Sequence, residues 1–242
     1  MRDYIAEIIN QLELIASRGY DISRVFSDWI DLMVLAHRTT FTEEEHLERE
    51  KDYLAIIHRY KNDLPEGQRE GDRFAAALAI LMEGMKQTNN ELLGEVYEKL
   101  ALNYKGFGQF FTPLSLCQLL AKMISTRNEK THPTIADPCA GSGRMLVEAY
   151  KLKPEGFYFA QDIDFRCVKL CALNFLFFNM NGLVVWGDSL ALQAKLAYRT
   201  IRSSFGGQLY LLTPESQHWS IIQQLVPNTP EPVSITGGPA DE

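Results

Sequence analysis

Apolar residues in the first hundred positions recur at intervals of three and four. Ile5, Ile8, Ile9, Leu12 and Ile15 make one such run, and Phe26, Trp29, Ile30, Met33 and Val34 make another after a break at Gly19-Tyr20-Asp21. This spacing lays an apolar stripe along one side of a helix. Thr42 with Glu45 has the pattern of a capping box and predicts a third helix running towards Tyr60. Pro65-Glu66-Gly67 interrupts the pattern, and an alanine-rich helix is expected over 74–85. Thr88 with Glu91 repeats the capping pattern and predicts a helix ending near Asn103. No strand-like alternation occurs here, so residues 1–103 read as an all-helical N-terminal domain.

The pattern changes at Tyr104-Lys105-Gly106-Phe107-Gly108, where two glycines in three residues predict a loop. Thr112-Pro113 then carries the signature of an N-cap followed by proline at the first helical position, starting a helix through Ile124. Beyond it, strands are predicted at 134–136, 158–161, 183–186 and 208–212. Helices are predicted from about Arg144, over 164–179, over 189–203 and from Thr213-Pro214 to Val226. Strict alternation of strand and helix implies an α/β fold over 104–226, with a parallel, doubly wound sheet and right-handed crossovers. Residues 227–242, rich in proline, glycine and acids, read as a disordered tail.

A chain of 242 residues accommodates one or two domains. Its longest apolar runs, 74–82 and 170–178, are too short to span a bilayer. The opening MRDYIAEIINQLELI mixes acids with apolar residues and lacks the basic start and apolar block of a signal peptide, so a cytoplasmic location is expected. The net charge of −7 argues against strong binding of duplex DNA by the chain alone and leaves such contact to a local patch or a partner. Cys167 and Cys171 stand at helical i, i+4 spacing. With no CxxC pair and no histidine nearby, Cys117, Cys139, Cys167 and Cys171 read as thiols of apolar segments, not metal ligands.

In a parallel sheet, ligands bind beyond the carboxyl ends of the strands. After the first predicted strand comes Asp137-Pro138-Cys139-Ala140-Gly141-Ser142-Gly143-Arg144-Met145-Leu146. Small residues at 139–143 let backbone approach a ligand, the next helix offers N–H groups to a carboxylate, and Asp137 can accept from an ammonium. A zwitterionic amino-acid group suits that set. The segment is not a P-loop, because no Gly-Lys follows, and it lacks the third glycine of a dinucleotide fingerprint. Two more strand tips end in acid. Asp162, in Gln161-Asp162-Ile163-Asp164, can accept from ribose hydroxyls, and Asp188, in Gly187-Asp188-Ser189-Leu190, can accept from an adenine amino group.

Residues 108–190 resemble the N-6 adenine DNA methylases, in particular the modification subunit of type I restriction–modification systems. Gly108-Gln109-Phe110-Phe111-Thr112-Pro113 is similar to that family's GQF[FY]TP segment. Asp137 through Leu146 is similar to its DPxxGxGxxL motif, with Arg144 where glycine is common. The stretches at 161–164 and 187–190 are similar to its two further motifs. The resemblance implies a fold of the S-adenosylmethionine-dependent methyltransferase type and S-adenosylmethionine as cofactor. It implies that Phe111 and Thr112 flank the methionine part, while Asp137-Pro138 with Gly141 and Gly143 hold its amino and carboxylate ends. Asp162 would take the ribose, Ile163 would pack on the adenine, and Asp188 would read its amino group.

The same resemblance calls for an [ND]PP[YFW] segment after the fourth strand, where a flipped adenine stacks on an aromatic ring and its amino group is held by two acceptors. No Pro-Pro pair occurs after Asp188. The nearest candidate, Thr213-Pro214-Glu215, reads better as a helix cap than as a catalytic segment. The expected function is therefore an S-adenosylmethionine-binding relative of these methylases that is inactive alone. Two alternatives stand beside it: an active methylase working with a specificity subunit that supplies DNA contacts, or a regulatory subunit that no longer binds cofactor. A small-molecule methyltransferase is disfavoured by residues 108–113. The predicted fourth strand would lie bare at a sheet edge, and a homodimer is one way to cover it.

Overall fold

The computed structural model describes residues 2–61, 63–103, 110–127 and 131–229. The N-terminal half is helical as predicted: α1 (Tyr4–Ala16), α2 (Ile22–His37), α3 (Glu43–Ile57), α4 (Glu70–Thr88) and α5 (Leu93–Asn103). Three of their starts are set by carboxylate and hydroxyl caps. Asp3 accepts from the Ala6 N–H at 3.0 Å, Asp21 from Arg24 at 2.9 Å and Thr42 from Glu45 at 3.2 Å. The Glu45 carboxylate reaches back to the Phe41 N–H at 2.7 Å, which closes the predicted box one residue earlier than the pattern implies. The second predicted box does not form. Thr88 is the last residue of α4 and donates to the Gly84 carbonyl at 2.8 Å, while Asn89 ends the helix at φ 54°. The Glu91 side chain, not Thr88, caps α5 by accepting from the Gly94 N–H.

The second half contains α6 (Leu114–Arg127), β2 (Thr134–Asp137), α7 (Arg144–Leu152), β3 (Phe157–Asp162), α8 (Phe165–Phe177), β4 (Gly182–Trp186), β5 (Leu196–Ile201), β6 (Gln208–Leu212) and α9 (Trp219–Leu225). A two-residue strand, β1 (Arg38–Thr39), follows α2 and joins the same sheet. The strand order is β1-β6-β5-β4-β3-β2. β2, β3 and β4 are mutually parallel, β5 is antiparallel to both β4 and β6, and β6 and β1 are parallel. The α/β class and the helical N-terminal region match the sequence expectation, but the sheet is mixed, not purely parallel.

The difference arises in 189–203, which was expected to be helical. Asp188 accepts from the Leu190 and Ala191 N–H groups at 2.9 and 3.1 Å, and Leu192 sits at φ 54°, so a tight turn consumes the first part of the segment. The remainder, β5, buries Ala197, Tyr198 and Thr200 in the sheet, and these tertiary contacts override helix propensity. Thr213 and Ser216 likewise form a turn in place of a helix start, with the Thr213 N–H donating to Ser216 Oγ at 2.9 Å, and α9 begins only at Trp219.

β6 is not a bare edge. β5 pairs with one side of it and β1 with the other, placing Arg38 opposite Leu209 and Thr39 opposite Tyr210. Phe41 stacks on Tyr210 at 4.9 Å, and Arg49 donates to the Arg38 carbonyl at 2.6 Å, which fastens β1 in place. The chain therefore covers β6 with its own helical half, and this edge gives no ground for a homodimer. Residues 227–229 pack back on the turn after β4: Asn228 N–H donates to the Leu192 carbonyl at 3.0 Å, and Ala194 N–H to Thr229 Oγ1 at 3.1 Å. The rest of the expected tail, 230–242, lies outside the described residues.

One apolar cluster runs from the helices into the sheet. It contains Leu12, Phe26, Trp29, Leu81 and Tyr97 together with Leu146, Tyr158, Leu173, Phe175 and Val184. Along β4 the side chains alternate: Val184 joins this cluster, while Leu183 and Val185 join a smaller one with Trp219 and Ile222 of α9. Trp29 is buried, and its indole N–H donates to the Phe74 carbonyl at 3.2 Å. Trp29→Ala is expected to cost roughly 3–5 kcal/mol. Because the core is continuous, the fluorescence of Trp29 in α2 and of Trp186 in β4, each read in a single-tryptophan variant, should shift together in denaturant; separate transitions would show that the halves are energetically independent.

Candidate functional site

The three parallel strands β2, β3 and β4 end side by side. A cleft of about 570 Å³ opens there, lined by Phe110, Phe111 and Thr112 on one side and by the 137–142 turn on another. Asp162 with Ile163 and Asp188 with Ser189 and Leu190 complete the wall. Eight of the nine residues singled out from sequence, namely Phe111, Thr112, Asp137, Pro138, Gly141, Asp162, Ile163 and Asp188, border this one cleft.

Gly143, the ninth, plays a different part. It caps α7 at φ 81°, and a side chain there would lie 2.6 Å from Cys171 Sγ on α8, so Gly143 joins the turn to α8. Gly141, at φ 55°, faces the Phe111 ring; a Cβ at Gly141 would meet that ring at 2.7 Å. The floor and wall of the cleft therefore touch because Gly141 lacks a side chain, just as the turn meets α8 because Gly143 does.

The three strand-tip carboxylates differ in how their oxygens are used. Asp162 accepts from the Gly141 N–H at 2.8 Å with one oxygen and from the Asp164 N–H at 2.9 Å with the other. It thus pins the glycine turn to β3 and keeps one further lone pair on each oxygen. Asp188 accepts both of its backbone donors on Oδ1, and among the described residues nothing donates to its Oδ2. Asp137 is buried and, among the described residues, accepts only from Cys139 N–H, at 3.0 Å on Oδ1. Burial pushes the Asp137 carboxyl above the usual carboxylate range and the charge of Asp162 adds to this, against the Cys139 N–H.

Large apolar side chains stand exposed around the mouth: Phe110 and Ile163 at 68% each and Leu190 at 95%. Ile163 is held outwards because its carbonyl accepts from the Trp186 indole at 3.0 Å, and Trp186 stacks on Phe165 at 4.6 Å. Such a rim suits a flat aromatic ligand over a polar floor.

Beyond these nine, Cys117, Arg144 and Met145 line the cleft without having been singled out, and Phe110, Cys139, Ala140, Ser142, Ser189 and Leu190 line it from segments marked in the sequence without a role of their own. All lie within or beside the motifs, so proximity alone could have nominated them; the inward turn of the buried Arg144 side chain had no sequence signal. Gly108 and Gln109 fall outside the described residues. The weak catalytic candidates Thr213, Pro214 and Glu215 do not border the cleft, because β5 separates β6 from β4. Glu215 instead lines an acidic hollow of about 490 Å³ with Phe41, Glu44, Glu45, Glu48 and His218.

Comparison with known proteins places this arrangement. Residues 88–200 match the N-6 DNA Methylase family. The type I restriction enzyme MjaVIII methylase subunit of Methanocaldococcus jannaschii is 30% identical over 115 residues, covering 43% of this chain and 19% of that protein. The MpnII methylase subunit of Mycoplasma pneumoniae is 26% identical over 110 residues, covering 41% and 20%. The chain thus spans about a fifth of the length of the curated relatives it matches. A solved structure from Listeria monocytogenes, described as a class I S-adenosylmethionine-dependent methyltransferase, aligns with 81% of this chain and 60% of its own at 13% identity. The TM-score of that superposition is 0.43. The motifs around the cleft and the match over 88–200 agree: this part of the chain is similar to the N-6 DNA methylase family.

Proposed function

We propose that the cleft binds S-adenosylmethionine and that the chain is the cofactor-binding portion of an adenine-N-6 DNA methyltransferase of the type I restriction–modification kind. The observation that carries this reading is the convergence of three strand-tip carboxylates and a glycine turn on one cleft. The residues fit the cofactor on their own chemistry. The volume lies within the roughly 300–1,000 Å³ usual for small-molecule sites. Asp137 Oδ2 suits an ammonium, the helix start at α7 suits a carboxylate, Asp162 suits ribose hydroxyls, and Asp188 Oδ2 suits an amino group. Ile163 and Leu190 supply apolar faces for a purine. When bound, the cofactor supplies an electrophilic methyl group; the chain's residues hold it and exclude water from its polar ends.

The chain alone is proposed not to transfer that methyl group, because no acceptor–proline–aromatic segment follows β4 and Thr213-Pro214-Glu215 lies away from the cleft. The net charge of −7 further supports DNA contact through another subunit, such as a specificity subunit. A cytoplasmic location agrees with the absence, among the described residues, of any helix long and apolar enough to cross a membrane.

Calorimetric titration of the chain with S-adenosylmethionine should show binding, and Asp162→Ala should weaken it by about 2–3 kcal/mol through loss of ribose contacts and of the turn's anchor. Absence of heat at millimolar cofactor would refute the reading.

Affinity should also depend on pH with a definite sign. The ionised form of Asp137 holds the ammonium, so affinity falls as pH drops through its pKa, beginning at higher pH than for an ordinary aspartate. Without ligand, ionising this buried acid costs stability as pH rises above its unfolded pKa. Asp137→Asn should therefore raise the melting temperature of the free protein at neutral pH while weakening binding and flattening its pH profile. A variant that melts lower, or binds as tightly, would contradict this assignment.

Incubation of the pure chain with adenine-rich duplex and methyl-labelled cofactor should give no label in DNA. Incorporation that disappears in Glu215→Ala would show that the 213–215 turn acts as a catalytic segment after all.

A further inference from the structure

Arg144 stands where the resembled motif commonly carries glycine, so its side chain is an addition to the site. It is 5% exposed and enters the seam between the glycine turn, α5 and the Phe111-Thr112 wall. Its Nε donates to Glu91 Oε2 at 3.0 Å, one Nη to Glu98 Oε2 at 3.1 Å, and the other to the Thr112 carbonyl at 3.2 Å. The guanidinium also lies 5.9 Å from the centre of the Phe111 ring. Glu98 Oε1 in turn accepts from the Phe111 N–H at 2.7 Å. The other carboxylate, Glu91, is fully buried and also accepts from Asn174 of α8 at 2.9 Å.

The wall of the cleft is thus fastened directly to α5 at one backbone group and, at the other, to Arg144 at the start of α7, with the Cys117 thiol of α6 also donating to that carbonyl at 3.5 Å. Phe111 N–H ends on Glu98, and Thr112 carbonyl ends on the arginine that Glu98 and Glu91 orient. Phe111 meets the glycine turn only by packing, since nothing polar joins the ring to Gly141. Where Phe111 lies over that turn is therefore set by the forked guanidinium, whose planar geometry fits two carboxylates and a carbonyl at once. From this we infer that Arg144 is a positioning residue: with Glu98 it holds the Phe111-Thr112 wall over the cofactor's amino-acid end, so that α5, outside the binding motifs, governs cofactor affinity. The inference rests on the cleft being the cofactor site.

Removing Arg144 outright leaves Glu91 buried without its cation, and such a variant can fail to fold. The test therefore uses Glu98→Gln, Arg144→Lys and the control Glu95→Gln. Glu95 lies on the same helix, three residues before Glu98, and feels the charges of Arg144, Glu91 and Glu98, so its substitution changes the local electrostatics while leaving the bonds from Glu98 and Arg144 to the wall in place. In Glu98→Gln the single amide oxygen can accept from the Phe111 N–H or from Arg144, but it cannot stand in both places. Arg144→Lys keeps the charge and loses the fork. Cofactor affinity is measured by titration and exchange of the Phe111 amide by nuclear magnetic resonance. Glu98→Gln should bind roughly tenfold more weakly and exchange the Phe111 amide faster, with Arg144→Lys intermediate and Glu95→Gln unchanged. Equal affinity in Glu98→Gln and the wild type would overturn the inference. So would equal losses in Glu98→Gln and Glu95→Gln, which would reduce the effect to charge alone. Should the wild type bind no cofactor, the reading of the cleft fails separately, and the Phe111 exchange rate still decides the latch: faster exchange in Glu98→Gln supports it and an unchanged rate refutes it.

Discussion

The turn at Gly141-Ser142-Gly143 is the constraint on which the rest of the molecule depends. It must lie against the Phe111 ring on one side and Cys171 of α8 on the other, and neither contact leaves room for a Cβ. Through Gly143 the turn fixes α7 against α8, and through Gly141 it fixes the wall against the floor of the cleft. Asp162 then ties the turn to β3 by accepting from Gly141 N–H. Packing of the core and shape of the cleft are consequences of the same three residues, so a change that loosens one loosens the other.

The helical half is not an appendage to this arrangement. Glu91, which caps α5, and Glu98 within it reach the seam behind the turn. Asp31 of α2 pairs with Lys169 of α8, and β1 closes the far edge of the sheet. Buried pairs such as Arg144–Glu91 stabilise little by themselves, since desolvation offsets most of the attraction, and the half-buried Lys169–Asp31 pair adds little more, but such pairs penalise misplacement of their partners. Their effect here is registration: they hold helices from one half of the chain in a fixed position against loops from the other.

Most of this was legible where local chemistry decides the outcome. The helices of the first half follow from their apolar spacing and from Asp3, Asp21 and Thr42, whose side chains cap their own helices. The cleft residues followed from glycines and acids at strand ends, a pattern that parallel strands impose whatever the rest of the fold. What was not legible depends on distant partners. β1 is two residues long and exists only because β6 lies beside it. The stretch 189–203 has helix-forming composition, and only the Asp188-capped turn and the slots offered by β4 and β6 make its second part a strand. The role of Arg144 was hidden for the same reason, because Glu91 and Glu98 lie about fifty residues earlier in the chain.

The cleft's carboxylates show how stability and binding divide the work. Asp162, with a backbone donor on each oxygen, is satisfied without ligand and serves the fold as much as the site. Asp188 folds its own loop with Oδ1 and leaves Oδ2 open to the cleft. Asp137 is the costly one: buried, beside another negative charge, and served by a single N–H. A group so placed destabilises the free protein in its ionised form, and a cation or donor arriving from the cleft relieves it. In the proposed cofactor complex, an ammonium at Asp137 would relieve a deficit that the folded chain already carries.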